Sequence, residues 1–353
     1  MKHSPRFLFV HVNKRCNLRC QHCAFWELDD KDKPNYIPWH RKREILGEFA
    51  GMSPGASVVI CGGESMLDLE DYLAISKECT RLGLRSLSVI NGTRIQRAEM
   101  ADRMIHEGPD EVSVSLNSHE EALHDQTRGV DGAFRKAVSA LRLLLEARQR
   151  NPVRNIRIYA MGLIFDENYR YLDDFYDFVL NNIKADKLKL NFIQPSFGNH
   201  RPEDDFFRRH HRVDPDLLDS VIRHCDDKYK LNISPAWLAN VHMYFQSLRA
   251  SQLIHLGWRA PTGTQEHICN SYERNIMVDH YGMARLCFAP VFPGMQLEKH
   301  GDLRAFWEGS DAIRTQMARC NRYCGISHSV RRENCTLKST KPTGAVLTPQ
   351  ISA

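Results

Sequence analysis

Apolar and polar positions over the first two hundred residues follow two alternating rhythms. Short apolar runs rich in β-branched and aromatic residues occur at 6–12 (RFLFVHV), 57–61 (SVVIC), 86–90 (SLSVI), 111–116 (EVSVSL), 155–164 (NIRIYAMGLI) and 187–193 (KLKLNFI). Their length and composition predict strands. Between them the period lengthens to that of a helix: Phe134, Val138, Leu141 and Leu145 share one face, as do Leu172, Phe175, Val179 and Ile183. Strands alternating with helices predict a parallel sheet with right-handed crossovers, either a barrel or a doubly wound sheet. In both, chemistry collects at the C-terminal ends of the strands.

After residue 200 the rhythm is lost. RPEDDFFRRHHRVDPD (201–216) reads as a polar loop, with helices expected around 215–226 and 235–250. NIMVDHYGMARLC (275–287) predicts a hairpin turning at His280-Tyr281-Gly282. The expected organisation is a barrel over 1–200, a helical connection over 201–260, a small Cys-rich domain over 261–336 and a flexible tail over 337–353.

Composition narrows the class. The chain has 353 residues, 42% of them hydrophobic and 26% charged, as in soluble globular proteins. No apolar run approaches the ~18 residues of a membrane span. The N-terminal apolar run is too short for a signal peptide, so a cytoplasmic location is expected. The net charge of +5 is mild and gives no basic stripe of the kind nucleic acid demands. The densest basic runs, HRKRE at 40–44 and VRRENC at 330–335, read as solvated faces, as phosphate or carboxylate contacts, or as docking points for an acidic protein.

The cysteines change the picture most. Eight of the eleven fall in two groups, Cys16, Cys20 and Cys23, then Cys269, Cys287, Cys320, Cys324 and Cys335. A chain of this size needs no disulfides, so clustered cysteines point to metal binding or catalysis. A structural zinc site wants four closed ligands, and a [4Fe–4S] cluster usually takes four thiolates. Three thiolates leave one position open, which suits a reacting site. A zinc site completed by His11 or His22 is the alternative. Cys61, Cys79 and Cys225 read as small buried hydrophobes, with a thiol that returns a hydrogen atom to a substrate radical as the other reading for one of them.

Cys16-x3-Cys20-x2-Cys23, directly after the first strand, resembles the radical S-adenosylmethionine (SAM) superfamily, and the resemblance runs over about residues 6–195. It implies an α/β fold, a partial (β/α)6 TIM-like barrel. It also implies that the three cysteines hold a [4Fe–4S] cluster whose fourth iron is chelated by SAM. One electron then cleaves SAM to methionine and a 5′-deoxyadenosyl radical. The Gly-Gly-Glu element after the second strand is matched by Gly62, Gly63 and Glu64, with Glu64 accepting from the SAM ammonium. Asn91, in NGT, matches the end of the third strand; its other reading, a type I′ turn, does not fit a parallel crossover. Ser115 and Arg128 match positions that hold the SAM carboxylate and ribose, although Asn117 stands where many relatives carry Asp. Met161, Gly162 and Gln194-Pro195 fall where the adenine and ribose rest. His22 occupies a usually aromatic position suited to stacking on adenine, and Phe25 lies where the backbone meets the adenine edge.

The second cysteine group is similar to the twitch or SPASM domains of the same superfamily. Cys269 is followed after twelve residues by Gly282-x4-Cys287, then Cys320-x3-Cys324 and Cys335. Five cysteines are too few for two fully thiolate-ligated clusters, so one auxiliary [4Fe–4S] cluster is implied, with a structural zinc site as the alternative. Cys269 and Cys287 are its first ligands; Cys320 and Cys324 are favoured for the rest, and Cys335 remains open. The expected activity is hydrogen abstraction from a small polar molecule such as a sugar, aminocyclitol or nucleoside, with Asp166, Glu167, Asn191, His200 and Arg201 as candidate contacts. Only fifteen residues precede Cys16, which tilts the expectation away from a peptide-binding N-terminal domain. Modification of a ribosomally made peptide is the rival enzyme reading. A non-catalytic zinc or iron–sulfur protein is the rival of another class. A flavodoxin or ferredoxin-type electron donor is implied as partner.

Overall fold

The computed structural model describes residues 4–27, 35–152, 154–194, 205–250, 267–269, 271–288, 291–318 and 329–331. Strands β1 (Phe7–His11), β2 (Ser57–Cys61), β3 (Arg85–Ile90), β4 (Glu111–Ser115), β5 (Arg157–Ile164) and β6 (Lys187–Phe192) pair in parallel, in chain order. Each stands in a run that the alternation marks out. The crossovers are α1 (Trp39–Met52), α2 (Leu69–Arg81), α3 (Ala98–Glu107), the pair α4 (Glu121–Arg128) and α5 (Ala133–Arg150), and α6 (Leu172–Asp177), which runs on as a π-helical turn over Phe178–Ile183. Beyond β6 come α7 (Asp205–His210), α8 (Pro215–Tyr229) and α9 (Pro235–Ala250). The C-terminal region holds β7 (His267–Cys269), β8 (Asn275–Val278), β9 (Met283–Arg285), β10 (Met295–Gln296), α10 (Asp302–Gly309), α11 (Asp311–Met317) and β11 (Ser329–Arg331). No described helix is long and apolar enough to cross a membrane.

The sheet is a partial barrel that does not close, and β6 forms one edge. On the other side β8 pairs in parallel with β1, Phe7 opposite Asn275 and Val10 opposite Val278. The expected hairpin forms between β8 and β9, and it extends the main sheet to the order β10-β9-β8-β1-β2-β3-β4-β5-β6. Among the described residues, β7 and β11 pair separately.

The two sheet faces differ in chemistry. Leu8, Val10, Val58, Ile60, Val112, Val114, Ile158 and Ala160 point outward into the main core beneath the helices. The inner face is split. Phe9, Val59, Leu87 and Met277, joined by Phe288, make an apolar cluster under β8 and β1 to β3. On β4 to β6 it turns polar, with Glu111 accepting from Lys189 and from Arg85 at 3.2 Å, and lying 3.5 Å from Arg157.

Two expectations need correction. Residues 201–216 are not simply a loop, because α7 lies within them: Phe206 and Phe207 are buried, and the Phe206 and His210 rings lie 4.6 Å apart one turn on. The HRKRE run is a solvated face only in part: His40, Arg43 and Glu44 are exposed, but its two middle cations are not. Arg41 and Lys42 are buried, Arg41 donating to the carbonyls of Leu297 (3.3 Å) and Lys299 (2.5 Å) and Lys42 to Asp71 (2.6 Å). These are carboxylate and carbonyl contacts made inside the molecule.

Glu48, buried on α1, accepts from the Leu303 amide at 3.1 Å and lies 3.9 Å from Arg41. Glu48→Ala is expected to cost about 1–3 kcal/mol, because it strands a buried donor and unbalances Arg41. Amide exchange at 297–309 should accelerate most. Uniform acceleration across the chain would show that this contact does not hold the C-terminal helices on the barrel.

Candidate functional site

The loop after β1 is built on backbone contacts. Gly63 N donates to Asn13 O (3.1 Å) and Glu64 N to Arg15 O (2.8 Å). A Cβ at Gly62 would overlap the Asn13 carbonyl, and one at Gly63 the Arg15 carbonyl; Gly62 also has φ +141°. Side chains reinforce the seat. Asn13 Nδ2 donates to Glu64 O (3.0 Å) and Asp68 Oδ2 (2.8 Å), and Arg15 Nη2 to Asp68 Oδ1 (2.9 Å). On its far side the loop is held to the end of α4, Arg19 N to Arg128 O and Gln21 N to Thr127 O, both at 3.0 Å.

This double anchoring gathers Cys16, Cys20 and Cys23 around Leu18 and Ala133, in one small cluster with Val130. All three are free thiols. Burial, with neighbouring sulfurs adding to it, pushes the Cys16 thiol up to about 11 and Cys23 to about 12. Arg128 Nη1 approaches Cys20 Sγ at 3.7 Å, and Asn91 Nδ2 approaches Cys16 Sγ at 4.0 Å. Three soft donors, buried together with one guanidinium nearby, ionise when a metal centre supplies the positive charge. The donor set fits an iron–sulfur cluster with one open iron.

The other predicted residues surround this loop. Glu64 is buried, with Oε1 accepting from Met66 N (3.1 Å) and Oε2 from Asn91 N (2.7 Å). Burial raises its carboxyl to about 7 against those hydrogen bonds. Each oxygen retains a further lone pair for a ligand ammonium. Asn91 Nδ2 also donates to Asn17 Oδ1 (2.9 Å), and Asn91 Oδ1 caps Thr93, so NGT is a brace on the cysteine loop and no hairpin turn. Arg128 Nη2 donates to Asn117 Oδ1 (3.1 Å), and its Nε has no partner among the described residues.

Ser115 ends β4 half-buried on the inner face, beside Met161 in register. Asn191 Nδ2 reaches the Met161 sulfur at 3.6 Å. Gly162 lies on the outer face, where a Cβ would crowd the Leu116 carbonyl and the Phe175 ring. Gln194 lies just past β6, and Pro195 is outside the described residues. Phe25 is buried edge-on to His11 at 5.5 Å. His22 packs against Phe206 at 5.6 Å, and burial, with Arg128 adding to it, drops its imidazole to about 3, so the ring is neutral.

The second cysteine group is described only in part. Cys287 is half-buried just past β9; Cys269 ends β7, where only the backbone is described; Cys320, Cys324 and Cys335 lie outside the described residues, as do His200 and Arg201. Asp166 and Glu167 follow β5, at the same end of the barrel as the cysteine loop.

Sequence reasoning missed the supports of the site. Asn13, Asp68, His124 and Asn168 are buried or half-buried and hydrogen-bonded around it. His124 Nδ1 accepts from Asn117 N (3.1 Å), and Asn168 Nδ2 donates to Asn117 O (2.8 Å). Their partners are up to 55 residues away, so no local spacing announces them. The one available signal was position, since Asn13 and Asn168 each stand just past a strand.

Residues 10–179 match the radical SAM superfamily. Among curated proteins, an AdoMet-dependent heme synthase of Oleidesulfovibrio alaskensis is 28% identical over 142 residues, 40% of this chain and 36% of that protein. A pre-heme d1 synthase of Dinoroseobacter shibae is 32% identical over 132 residues, 37% of this chain and 31% of that protein. The chain thus spans about a third of the length of these relatives. Among solved structures, Streptococcus suis SuiB bound to its precursor peptide SuiA superposes with a TM-score of 0.61 at 15% identity, covering 94% of this chain and 76% of SuiB. Native anSMEcpe with AdoMet and a Cp18Cys peptide gives 0.57 at 15%, covering 93% of this chain and 85% of that one. At such identity these two show the fold alone.

Two measurements test the site. Gly63→Ala should displace the Arg15 carbonyl and cut reconstituted iron at the first cysteine group at least several-fold, while the far-ultraviolet spectrum stays that of the wild type. Unchanged iron would mean the loop does not depend on that seat. His124 is buried, and burial, with the Arg128 charge adding to it, lowers its imidazole from 6.5 to about 2. The unfolded chain therefore takes up that proton first. The stability held by neutral His124 is complete above about pH 6.5 and drains as pH falls, at about 1.4 kcal/mol per pH unit. Glu64, raised instead, works in the opposite sense between about 4.5 and 7 and cancels between variant and wild type. His124→Gln should flatten the acid limb of unfolding free energy by one proton; identical slopes would refute the assignment.

Proposed function

Because residues 10–179 match the radical SAM superfamily, we propose that the chain is an enzyme that removes a hydrogen atom from a small polar substrate held over the strand ends. The observation that carries this is the gathering of Cys16, Cys20 and Cys23 above Glu64, Asn91 and Arg128. When bound, a [4Fe–4S] cluster on these cysteines, with SAM on its open iron, supplies a 5′-deoxyadenosyl radical. The chain's own residues do the rest. Arg128 and Asn91 place N–H groups beside Cys20 and Cys16, where such contacts tune a cluster's potential. Glu64 offers acceptor capacity for the SAM ammonium. Ser115, Arg128, Met161, Gln194, His22 and Phe25 are the remaining SAM contacts in this reading.

The substrate class follows from the split inner face. Above β4 to β6 the lining is Ser115, Met161 and Asn191, which suits a hydroxyl- or amine-bearing molecule of the sugar, aminocyclitol or nucleoside kind; the apolar half belongs to β8 and β1 to β3. A substrate of the haem series is the second reading, favoured by the names of curated relatives that match about two fifths of this chain. A precursor peptide is the remaining class. Cys269 and Cys287, with two of Cys320, Cys324 and Cys335, hold one auxiliary [4Fe–4S] cluster, and an acidic flavodoxin or ferredoxin delivers the electron in the cytoplasm.

Anaerobic reconstitution with iron and sulfide, then dithionite and SAM, should release 5′-deoxyadenosine. The triple variant Cys16→Ala/Cys20→Ala/Cys23→Ala should release none. Iron should fall from about eight to about four per chain in that variant. Iron near zero there would remove the auxiliary cluster from the proposal. A wild type loaded with iron that never cleaves SAM would remove the mechanism itself. Stimulation of cleavage by an iron porphyrin, and by no polar small molecule, would replace the first substrate reading with the second.

A further inference from the structure

We infer that Asp166, Glu167 and His210 form a binding site for one divalent metal ion of the manganese, iron(II) or zinc type, separate from both cysteine groups. One ligand atom from each lies within 4.8 Å of the others. His210 Nδ1 is 2.8 Å from Asp166 Oδ1 and 3.1 Å from Glu167 Oε1. Ligands about 2.1 Å from an octahedral ion stand about 3.0 Å apart along the octahedron's edges, and these two separations match that spacing.

Among the described residues, the charges are unbalanced without such an ion. Among the described residues, no lysine or arginine pairs with either carboxylate; His210 is the one basic group that does. The His210 side chain is 8% exposed, aims Nδ1 at both carboxylates, and has no partner for Nε2 among the described residues. A protonated ring would offset one carboxylate and leave a charged, buried N–H without an acceptor, which is costly. A neutral ring would leave two carboxylates unopposed. A divalent cation on Nδ1, Oδ1 and Oε1 brings the set to neutrality with an uncharged imidazole. The carboxylates, 26% and 39% exposed, provide the path of entry. Imidazole with carboxylate oxygen suits manganese, iron(II) or zinc, whereas soft thiolates select other metals.

The ligands come from two elements that are already joined, since Asp166 N donates to His210 O at 3.1 Å. Phe206, on the same helix, lies 4.6 Å from His210 and 5.6 Å from His22 of the cysteine loop. A bound ion would therefore fix α7 over the mouth of the barrel, against the loop that carries Cys23.

Manganese(II) is the probe, because thiolates compete poorly for it. Titrated into the reconstituted protein, it should lose its free-ion electron paramagnetic resonance signal up to one equivalent per chain. His210→Ala and Asp166→Asn should each weaken binding by about tenfold or more. Visible iron–sulfur absorption should stay unchanged in both. Glu167→Gln, at the most exposed ligand, gives the same reading if the buried variants fold poorly. Zinc(II) should displace the manganese. Cys16→Ala/Cys20→Ala/Cys23→Ala should retain it, so the result stands or falls apart from the radical chemistry. Absence of binding, or binding unaltered by His210→Ala and by Glu167→Gln, would overturn the inference.

Discussion

The site depends on a contact between backbones. Residues 13–15 lie so close to Gly62 and Gly63 that neither glycine has room for a Cβ, and two amides of that turn bond directly to the loop's carbonyls. Glu64 and Asn91, which face the thiols, are registered from this seat. Glu64 follows the second glycine and spends both carboxylate oxygens on amides, one of them at the end of β3. Asn91 then reaches across to Asn17 and Cys16. A chain of short bonds thus joins the ends of three strands to one loop. Such multiply determined positions are what a site needs when it must hold its geometry through a reaction.

Around that seat the chain buries polar groups and keeps them uncharged. His11, His22 and His124 are all driven well below the usual imidazole range by burial. Glu64 is driven up toward neutrality. Lys14 and Arg128 are buried cations there: Lys14 donates to the Tyr281 hydroxyl at 2.8 Å, and Arg128 is bonded to Asn117 and directed at Cys20. One guanidinium cannot balance three ionised sulfurs, so a cluster held by them, as proposed, would complete the charge of the site. The auxiliary supports serve the same end: Asn117 fixes Arg128 and is itself held by His124, Thr127 and Asn168.

The barrel strands could be read in the sequence because period-two apolar runs and short crossovers are local signals. Cys16, Cys20 and Cys23 could be read for the same reason, being packed within eight residues. Glu64, Asn91 and Ser115 became visible once strand ends were identified, since each stands at or shortly after one, whereas Arg128, at the end of α4, was singled out by the family resemblance. What stayed hidden is non-local. Arg41 and Lys42 look like surface in a run of charges, yet their partners are helix ends and loops far along the chain. Residues 201–216 hide α7 because two phenylalanines among charges give no period. His210 and its carboxylates are 43 and 44 residues apart, and only the folded chain brings them together.

The pairing of β8 with β1 bears on how this protein can be divided. By sequence the chain reads as a catalytic barrel with an appended Cys-rich piece, which invites the thought that the barrel is a module that could be excised or inherited alone. Yet β1, the strand that delivers the cysteine loop, is an interior strand only because β8 covers its outer side. Without that cover, the backbone of FLFVH would be an open, largely apolar edge, the kind of surface on which unrelated chains add strands to one another. A strand near residue 275 is therefore a protective flank for one near residue 10.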